Sequence, residues 1–144
     1  MASTDQKKRN QRLALILASI VEKETGLEAD RGKVAAVFNN RLRIGMPLQT
    51  DPTVIYGLGE AFDGNLRKRD LLADTPFNTY TRRGLPPTPI SMPGLPSIRS
   101  AIHPDPSKAL YFVARSDGGG GSVFSETLEA HNRAVNQFQR RSGR

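Results

Sequence analysis

The sequence predicts an α+β fold that is mostly helical and contains one small β-hairpin. Apolar residues recur at helical spacing through two segments that end near Gly26 and Gly45. Six prolines between residues 76 and 96 favour an extended, rigid loop. The segment Leu110–Arg115 is followed by four consecutive glycines and a return segment through Phe124, which is typical of a hairpin.

Two long helices are predicted from this periodicity and from the residues at their ends. The first extends over about Gln6–Glu24 and is followed by Gly26, a residue common just after a helix. The second extends over Asp30–Arg43, with Asp30 as its predicted N-cap and Gly45 as its stop signal. Shorter helices are predicted over Pro52–Leu58, Leu66–Leu72, Ser97–Ile102 and Leu128–Gln139.

We expect the 144 residues to form a single domain. A chain of this length can bury a core without disulfides. We expect residues 1–12 to form a flexible polar lead and residues 13–141 to form the folded domain. The hydrophobic content of 37% and the charged content of 24% indicate a globular protein. The chain has no cysteine, which excludes disulfides, thiolate metal sites and a cysteine nucleophile.

Two glutamates stand at the end of the first helix, and helix geometry separates them. At about 100° per residue, Glu24 continues an apolar stripe, whereas Glu22 points to nearly the opposite side. That stripe consists of Leu13, Leu17 and Ile20. A second interpretation, in which Leu15 and Ala18 define the core face, buries Glu22 instead. A partly buried carboxyl group has a raised pKa and can serve as a general acid; otherwise Glu24 is an ordinary glutamate at a helix end.

Two polar segments carry groups suited to binding a sugar. Gln49–Asp51 offers an amide, a hydroxyl and a carboxyl group, and Phe77–Tyr80 offers an amide, hydroxyls and aromatic rings. Amides and hydroxyls hydrogen-bond to sugars, and rings stack on them. Asp51 has a second interpretation as an N-cap, because it precedes a proline suited to a first helical turn. The proline-rich loop either forms the wall of a groove or simply connects two helices.

Several other classes of site find no support in the sequence. The two histidines, His103 and His131, have no histidine partner at i+3 or i+4, so we expect no metal site and a structural role for His131. The motifs of serine hydrolases, phosphate-binding loops and dinucleotide sites are missing, so no cofactor is expected. Apolar runs fall short of the roughly 20 residues of a membrane span, so this stretch of chain is expected to be soluble.

The net charge of +7 indicates either an anionic partner or simply a solvated basic surface. The basic residues are spread along the chain rather than gathered on one helix, and no nucleic-acid-binding motif is visible. We therefore expect no nucleic acid partner.

Five segments resemble the catalytic domain of the MltG (YceG-like) family of bacterial endolytic murein transglycosylases. In chain order they are ASIVEKET, VFNNRL, GMPLQTDPTVIYGLG, FNTYTRRGLPP and HPDPSKALYFVA. The resemblance implies a lysozyme-like catalytic domain. It also implies an excised fragment, because members of the family carry an N-terminal transmembrane helix and a small LysM-like domain as well.

The resemblance implies that Glu24, the second glutamate of EKET, is the catalytic residue, as the helix geometry also favours. It implies a substrate-binding set of Thr25, Asn40, Gln49, Thr50, Asp51, Tyr56, Asn78, Thr79 and Tyr80. Phe77 departs from the family pattern, which has a tyrosine there, so any hydroxyl contact from that ring is lost.

The implied reaction cleaves the bond from N-acetylmuramic acid to N-acetylglucosamine within peptidoglycan strands without hydrolysis. A single glutamate acts first as acid and then as base, and leaves 1,6-anhydro ends. The implied partners are glycan strands and cell-wall synthases, at the periplasmic face of the inner membrane in the full-length protein. Three alternatives remain open: a lysozyme-type hydrolase with Asp51 as second carboxylate, a nucleic-acid-binding module, and a glycan-binding scaffold without catalysis.

Overall fold

The structure, a computed structural model, describes residues 2–116 and 120–140. Over these residues the chain forms α-helices and a two-stranded antiparallel sheet, so the α+β fold class is confirmed. The helices are α1 (Ala2–Glu24), α2 (Glu28–Ile44), α3 (Asp51–Leu58), α4 (Lys68–Leu72), α5 (Leu95–Ile102) and α6 (Leu128–Val135). The strands are β1 (Tyr111–Ala114) and β2 (Ser122–Ser125). Residues 117–119 of the predicted glycine turn, and residue 141 at the predicted domain end, lie outside the described residues.

Helix α1 is longer than the sequence predicts. It begins at Ala2 rather than near Gln6, so the segment expected to be a flexible lead is helical from residue 2 onwards. The segment is rich in lysine, arginine and glutamine, which favour helix, and meets no glycine or proline before Gly26. The boundary between lead and domain stays a prediction. Within the described residues no helix is both long enough and apolar enough to span a bilayer.

Two predicted N-caps are wrong. Helix α2 begins at Glu28 with Leu27 at its N-cap position, and Asp30 lies buried in its first turn. Helix α3 has Thr50 at its N-cap position, so Asp51 is already helical and its side chain is not used as a cap. In both cases the helix starts earlier than predicted, because the preceding residue adopts the extended conformation that an N-cap position requires.

The remaining helix bounds differ from the prediction by a few residues. Helix α4 begins at Lys68, two residues later than predicted, and Asp70 Oδ2 accepts a hydrogen bond from the Arg67 backbone N–H at 2.8 Å. Helix α5 begins at Leu95, because Pro96 fits a first turn. After α3 a 3-10 turn covers Gly59–Ala61, and after α6 a π-helical turn covers Asn136–Arg140.

The core forms where α1 crosses α2 and the hairpin covers both. Six consecutive residues of α1, Ile16–Val21, are buried, so this part of the helix is enclosed on all sides. Phe38 of α2 meets Phe112 of β1 edge to face, with ring centroids 5.9 Å apart. Phe112 is also the register partner of Phe124 in β2, and these rings stack at 5.8 Å. The hairpin is thereby fixed against α2 by aromatic contacts.

The proline-rich segment has no helix or strand in residues 73–94, and turns occur at residues 76–77 and 79–81. Its extended conformation stays a prediction. The segment is nevertheless attached firmly to α1. The buried Ser19 hydroxyl accepts a hydrogen bond from the Ile90 backbone N–H at 3.0 Å, and the Ser91 hydroxyl donates to the Ser19 carbonyl at 2.9 Å. Serine side chains of α1 and of the loop therefore serve as hydrogen-bond partners for these backbone groups in place of secondary structure.

Replacing Ser19 with alanine tests this attachment. The Ile90 N–H would lose its acceptor in a buried site, so we expect the free energy of unfolding to fall by about 1–3 kcal/mol. Urea denaturation measures the change. Thr4→Ala removes an exposed hydroxyl from the same helix and should shift stability by no more than about 0.5 kcal/mol. Equal stabilities of the two variants would contradict the proposed attachment.

Candidate active site

A cavity of about 280 Å³ opens where the end of α1, the middle of α2 and the hairpin come together. Its walls mix titratable, amide and aromatic side chains: Glu24, Phe38, Arg41, Leu48, Gln49, Asp51, Tyr80, Phe112 and His131. Of the residues singled out from the sequence, the fold brings Glu24, Gln49, Asp51 and Tyr80 to this cavity. These four come from three separate segments of the chain.

The cavity strongly alters the acidity of Glu24. Glu24 is partly buried at the last position of α1, and this burial raises its pKa from 4.5 to about 7. Interaction with the Thr50 hydroxyl lowers the pKa in part, whereas the negative charge of Asp51 raises it further. Near neutral pH the carboxyl group therefore exists in both protonation states, and it can donate a proton or accept one.

Glu22 is in the opposite situation, two residues earlier on the same helix. It is exposed, and its Oε1 accepts hydrogen bonds from the Gly94 N–H and the Ser97 hydroxyl, both at 2.9 Å. These bonds lower its pKa. Of the two sequence interpretations, the structure agrees with the one that turns Glu24 inward. The predicted stripe is correct only from Leu17 onwards, because Leu13 is 42% exposed.

Asp51 and Tyr80 form a hydrogen-bonded pair on the cavity wall. The Tyr80 hydroxyl donates to Asp51 Oδ1 at 2.6 Å. Burial, followed by this hydrogen bond and the nearby negative charges, raises the pKa of Tyr80, so the phenol stays protonated. The pair links the start of α3 to the proline-rich loop, and it offers a ligand both carboxyl and hydroxyl oxygens.

Threonines beneath this wall hold its two segments together. Thr79 Oγ1 accepts a hydrogen bond from the Thr50 N–H at 3.0 Å and shares a second one with the Thr53 hydroxyl at 2.9 Å. The Gln49 N–H donates to the Thr79 carbonyl at 3.2 Å. Thr50 and Thr79 are buried and lie under the cavity rather than on its wall.

Gln49, which lies on the cavity wall, has an unusual backbone conformation. Its φ of 52° lies in the left-handed region, which residues other than glycine seldom adopt. Such a conformation costs about 1–3 kcal/mol and persists where the surrounding structure imposes it, most often near functional sites. Here the buried side chain of Leu48 and the hydrogen bond from the Thr50 N–H to Thr79 Oγ1 fix the residues on either side.

Asn78, predicted to bind substrate, is fully buried away from the cavity. Its amide nitrogen donates to the carbonyls of Leu71 at 3.0 Å and Ala73 at 2.7 Å. Its amide oxygen accepts from the N–H groups of Tyr80 at 2.8 Å and Thr81 at 3.2 Å. The side chain thus organises the loop that presents Tyr80.

Three further candidates also lie outside the cavity lining. The Asn40 amide donates to the carbonyls of Ser107 and Ala109, at 2.8 and 2.9 Å. Tyr56 is 48% exposed on α3 and packs against Phe77. The Thr25 hydroxyl accepts a hydrogen bond from the N–H of Leu27 at 3.1 Å, in the turn that connects α1 to α2.

Two polar residues of the cavity were missed from the sequence. Arg41 is buried, and its guanidinium donates to the carbonyls of Pro47, Leu48 and Leu110 at 2.7–3.1 Å. It lies three residues after Phe38 on the same face of α2, which is the one sequence signal that could have indicated it. His131, expected to be structural, lines the cavity from α6. No group of three or more potential metal ligands is clustered within the described ranges.

The family assignment follows from comparison with known sequences. The sequence model of the YceG-like family matches residues 1–137. The chain belongs to the YceG-like family. This confirms the resemblance seen in the five segments.

Individual relatives agree with this assignment. Over 124 residues the chain is 48% identical to an endolytic murein transglycosylase of Bacillus subtilis (strain 168), covering 86% of this chain and 34% of that protein. Over 126 residues it is 39% identical to an endolytic murein transglycosylase of Streptococcus pneumoniae (strain D39), covering 84% and 22%. The chain thus spans about a third or less of the length of these YceG-like relatives.

A solved structure shares the fold. The crystal structure of a YceG-like protein from Listeria monocytogenes superposes with a TM-score of 0.76 at 43% sequence identity. The match covers 88% of this chain and 42% of that one.

The role of Asn78 can be tested through stability. Asn78→Ala should lower the free energy of unfolding by about 2–4 kcal/mol, because several partly buried carbonyl and N–H groups lose their partner. Asn39→Ala removes an exposed amide from α2 and should change it by no more than about 0.5 kcal/mol. Urea denaturation measures both. An Asn78→Ala variant as stable as the unmodified chain would contradict the structural role.

The raised pKa of Glu24 predicts a pH dependence of stability. In the window between pH 4.5 and about 7 the folded chain holds a proton on Glu24 that the unfolded chain has lost. The contribution of Glu24 to stability is therefore fully present below pH 4.5 and is lost as the pH rises towards 7. Urea denaturation at several pH values should show this fall in the unmodified chain, relative to Glu24→Gln.

Glu22→Gln is the matched control for this titration. The pKa of Glu22 is lowered, so its contribution to stability is lost when the pH falls rather than when it rises. A difference between the unmodified chain and Glu24→Gln that stayed constant from pH 4.5 to 7 would contradict the raised pKa.

Proposed function

We propose that this chain is the catalytic domain of an endolytic lytic transglycosylase. It cleaves the bond from N-acetylmuramic acid to N-acetylglucosamine inside peptidoglycan strands and leaves 1,6-anhydro ends. The observation that carries the proposal is the carboxyl group of Glu24, partly buried on the wall of a polar cavity with a pKa of about 7. The names of the Bacillus and Streptococcus relatives support the same reaction class.

In the first step protonated Glu24 acts as a general acid. It donates its proton to the oxygen that joins the two sugars, the bond from that oxygen to C1 of the muramic acid breaks, and the bonding electrons leave with the oxygen. An oxocarbenium-like species remains on the muramic acid. A carboxyl group with a pKa near 7 suits this step, because it is protonated in a large fraction of molecules at neutral pH.

In the second step the Glu24 carboxylate acts as a base. It takes the proton from the C6 hydroxyl of the same muramic acid, and O6 forms a bond to C1, which closes the anhydro ring. Glu24 is protonated again and no water is consumed. One carboxyl group is sufficient for both steps, since the nucleophile comes from the substrate itself.

Gln49, Asp51 and Tyr80 bind and orient the sugar. Gln49 offers an amide, and the Asp51–Tyr80 pair offers a carboxyl and a phenol group, on the same wall as Glu24. Orientation matters because a misplaced acid loses much of its effect. Three predicted residues outside the cavity act on this wall indirectly, through the hydrogen bonds that hold its segments: Thr50, Asn78 and Thr79. The substrate-binding roles of Thr25, Asn40 and Tyr56, which also lie outside the cavity lining, stay predictions.

A second candidate is a lysozyme-type hydrolase with Asp51 as the second carboxylate. The observation in its favour is that Asp51 lines the same cavity as Glu24 and raises its pKa. In that reaction water supplies the final nucleophile, so the products have reducing ends. The products therefore distinguish the two candidates directly.

We extend the proposal to the setting of the whole protein. Its substrate is the glycan strand of the cell wall, and it acts beside cell-wall synthases at the periplasmic face of the inner membrane. The five family segments and the names of the relatives support the substrate. The setting follows from the family resemblance alone.

The proposal is tested by incubating purified sacculi with the chain and analysing the released muropeptides by mass spectrometry. The unmodified chain should release anhydromuramyl ends, which are lighter than reducing ends by one water. Glu24→Gln should lower this activity at least about 10³-fold while it retains the fold, since an amide has no proton of suitable acidity to transfer. Circular dichroism checks the fold.

Glu22→Gln is the matched control, because it removes a glutamate from the same helix on the other side. It should retain activity within about threefold. Reducing ends that disappear in Asp51→Asn would favour the hydrolase. Cleavage by Glu24→Gln at the rate of the unmodified chain would contradict the role of Glu24.

A further inference from the structure

His131 lies at the cavity but has no role in the reaction described above. It is in the first turns of α6, a helix whose N-cap residue Thr127 accepts a hydrogen bond from the Ala130 N–H. The cavity wall that His131 forms is shared with Phe112 of the hairpin. This wall comes from a part of the chain remote in sequence from Glu24.

The His131 ring is held by stacking rather than by hydrogen bonds. It lies on the Tyr111 ring with centroids 5.0 Å apart and an interplanar angle of 21°. Its Nδ1 is enclosed and has no hydrogen-bond partner among the described residues. Its Nε2, unlike Nδ1, is not enclosed, and it makes no hydrogen bond to the described residues. The ring therefore presents Nε2 as its accessible polar atom.

Burial and the charge of Arg41 keep this ring neutral. Burial lowers the pKa of His131, and the Arg41 guanidinium lowers it further. Arg41 lies over the same Tyr111 ring at 5.3 Å and is fixed by three backbone carbonyls. The other titratable groups that line the cavity are Glu24, Asp51 and Tyr80. A neutral imidazole in this position can make a hydrogen bond without adding charge beside Glu24.

A purely structural role does not account for a histidine here. A phenylalanine would stack on Tyr111 equally well and would leave no enclosed nitrogen without a partner. The polar edge of the ring is useful only if something outside the chain meets Nε2. A ligand that occupies the cavity is in the right place to do so.

We propose that His131 is a substrate-binding residue, whose Nε2 hydrogen-bonds a hydroxyl or acetamido group of an N-acetylhexosamine strand in the cavity. Tyr111 sets the plane of the imidazole, and Arg41 sets the position of Tyr111. This inference rests on the proposed function, since it takes its ligand from the same reaction.

Two substitutions separate the hydrogen bond from the stacking. His131→Phe keeps a ring on Tyr111 and removes both nitrogens. His131→Gln removes the ring and places an amide nitrogen near the position of Nε2. Binding is measured by isothermal titration calorimetry with peptide-free glycan strands in the Glu24→Gln background, where no cleavage interferes.

The Phe variant should bind the strands about tenfold more weakly, the loss expected for one hydrogen bond. The Gln variant should stay within about threefold of its parent. Thermal unfolding should show His131→Phe at least as stable as the parent, because the unpartnered nitrogen is gone. A merely structural role predicts the reverse, with loss of stability and unchanged binding.

Kinetics in the otherwise unmodified chain give an independent readout. A contact made equally in the bound and transition states raises KM without changing kcat. His131→Phe should therefore raise KM about tenfold and leave kcat within about threefold. Unchanged KM, or a loss confined to kcat, would overturn the inference.

Failure of this inference is distinguishable from failure of the proposed function. If anhydro ends form and strands bind Glu24→Gln, but His131→Phe changes neither binding nor KM, only the inference about His131 is wrong. If the unmodified chain neither cleaves nor binds strands, the proposed function is wrong, and the inference about His131 is wrong with it.

Discussion

The site depends on one constraint, which is that residues 16–21 of α1, which end three positions before Glu24, are enclosed on every side. Ile16–Val21 are buried, so the helix can neither rotate nor slide without exposing apolar surface. The direction of its last turn is therefore set by the core. Glu24 enters the cavity as a consequence of this packing, and its raised pKa follows from the same burial. Glu22, on the other side of the helix, stays in solvent and binds the proline-rich loop.

Polar side chains hold the loops in position, as the apolar core holds the helices. Thr79 connects the segment before α3 to the loop that carries Tyr80, and Asn78 closes that loop around its own amide. Arg41 attaches α2 to the residues around Leu48. The hydrogen bonds of Thr79 and Arg41 are buried and that of Asn78 is partly buried, so their loss is costly. Together they give the irregular walls the rigidity that substrate orientation requires.

Periodicity and turn residues were enough to predict the helices, the hairpin and the inward face of Glu24. They could not assign roles to the polar residues between the helices. An asparagine such as Asn78 looks the same in the sequence whether its amide binds a sugar or a backbone carbonyl. Its burial depends on how the loop folds back, which is a tertiary property. His131 was missed for a related reason: no local pattern indicates that α6 reaches the cavity. Asp51 looked like an N-cap, yet its carboxyl group bonds to Tyr80, twenty-nine positions away.

The cavity walls come from opposite ends of the chain, and this affects when the site comes into existence. Glu24 is made before β1 and α6, which bring Phe112 and His131. Contacts between segments so distant in sequence close late, because the loop entropy between them must be overcome first. A nascent chain that carries α1 and α2 therefore holds its acid in an open, hydrated groove. The complete wall assembles only once α6 has left the ribosome and packed.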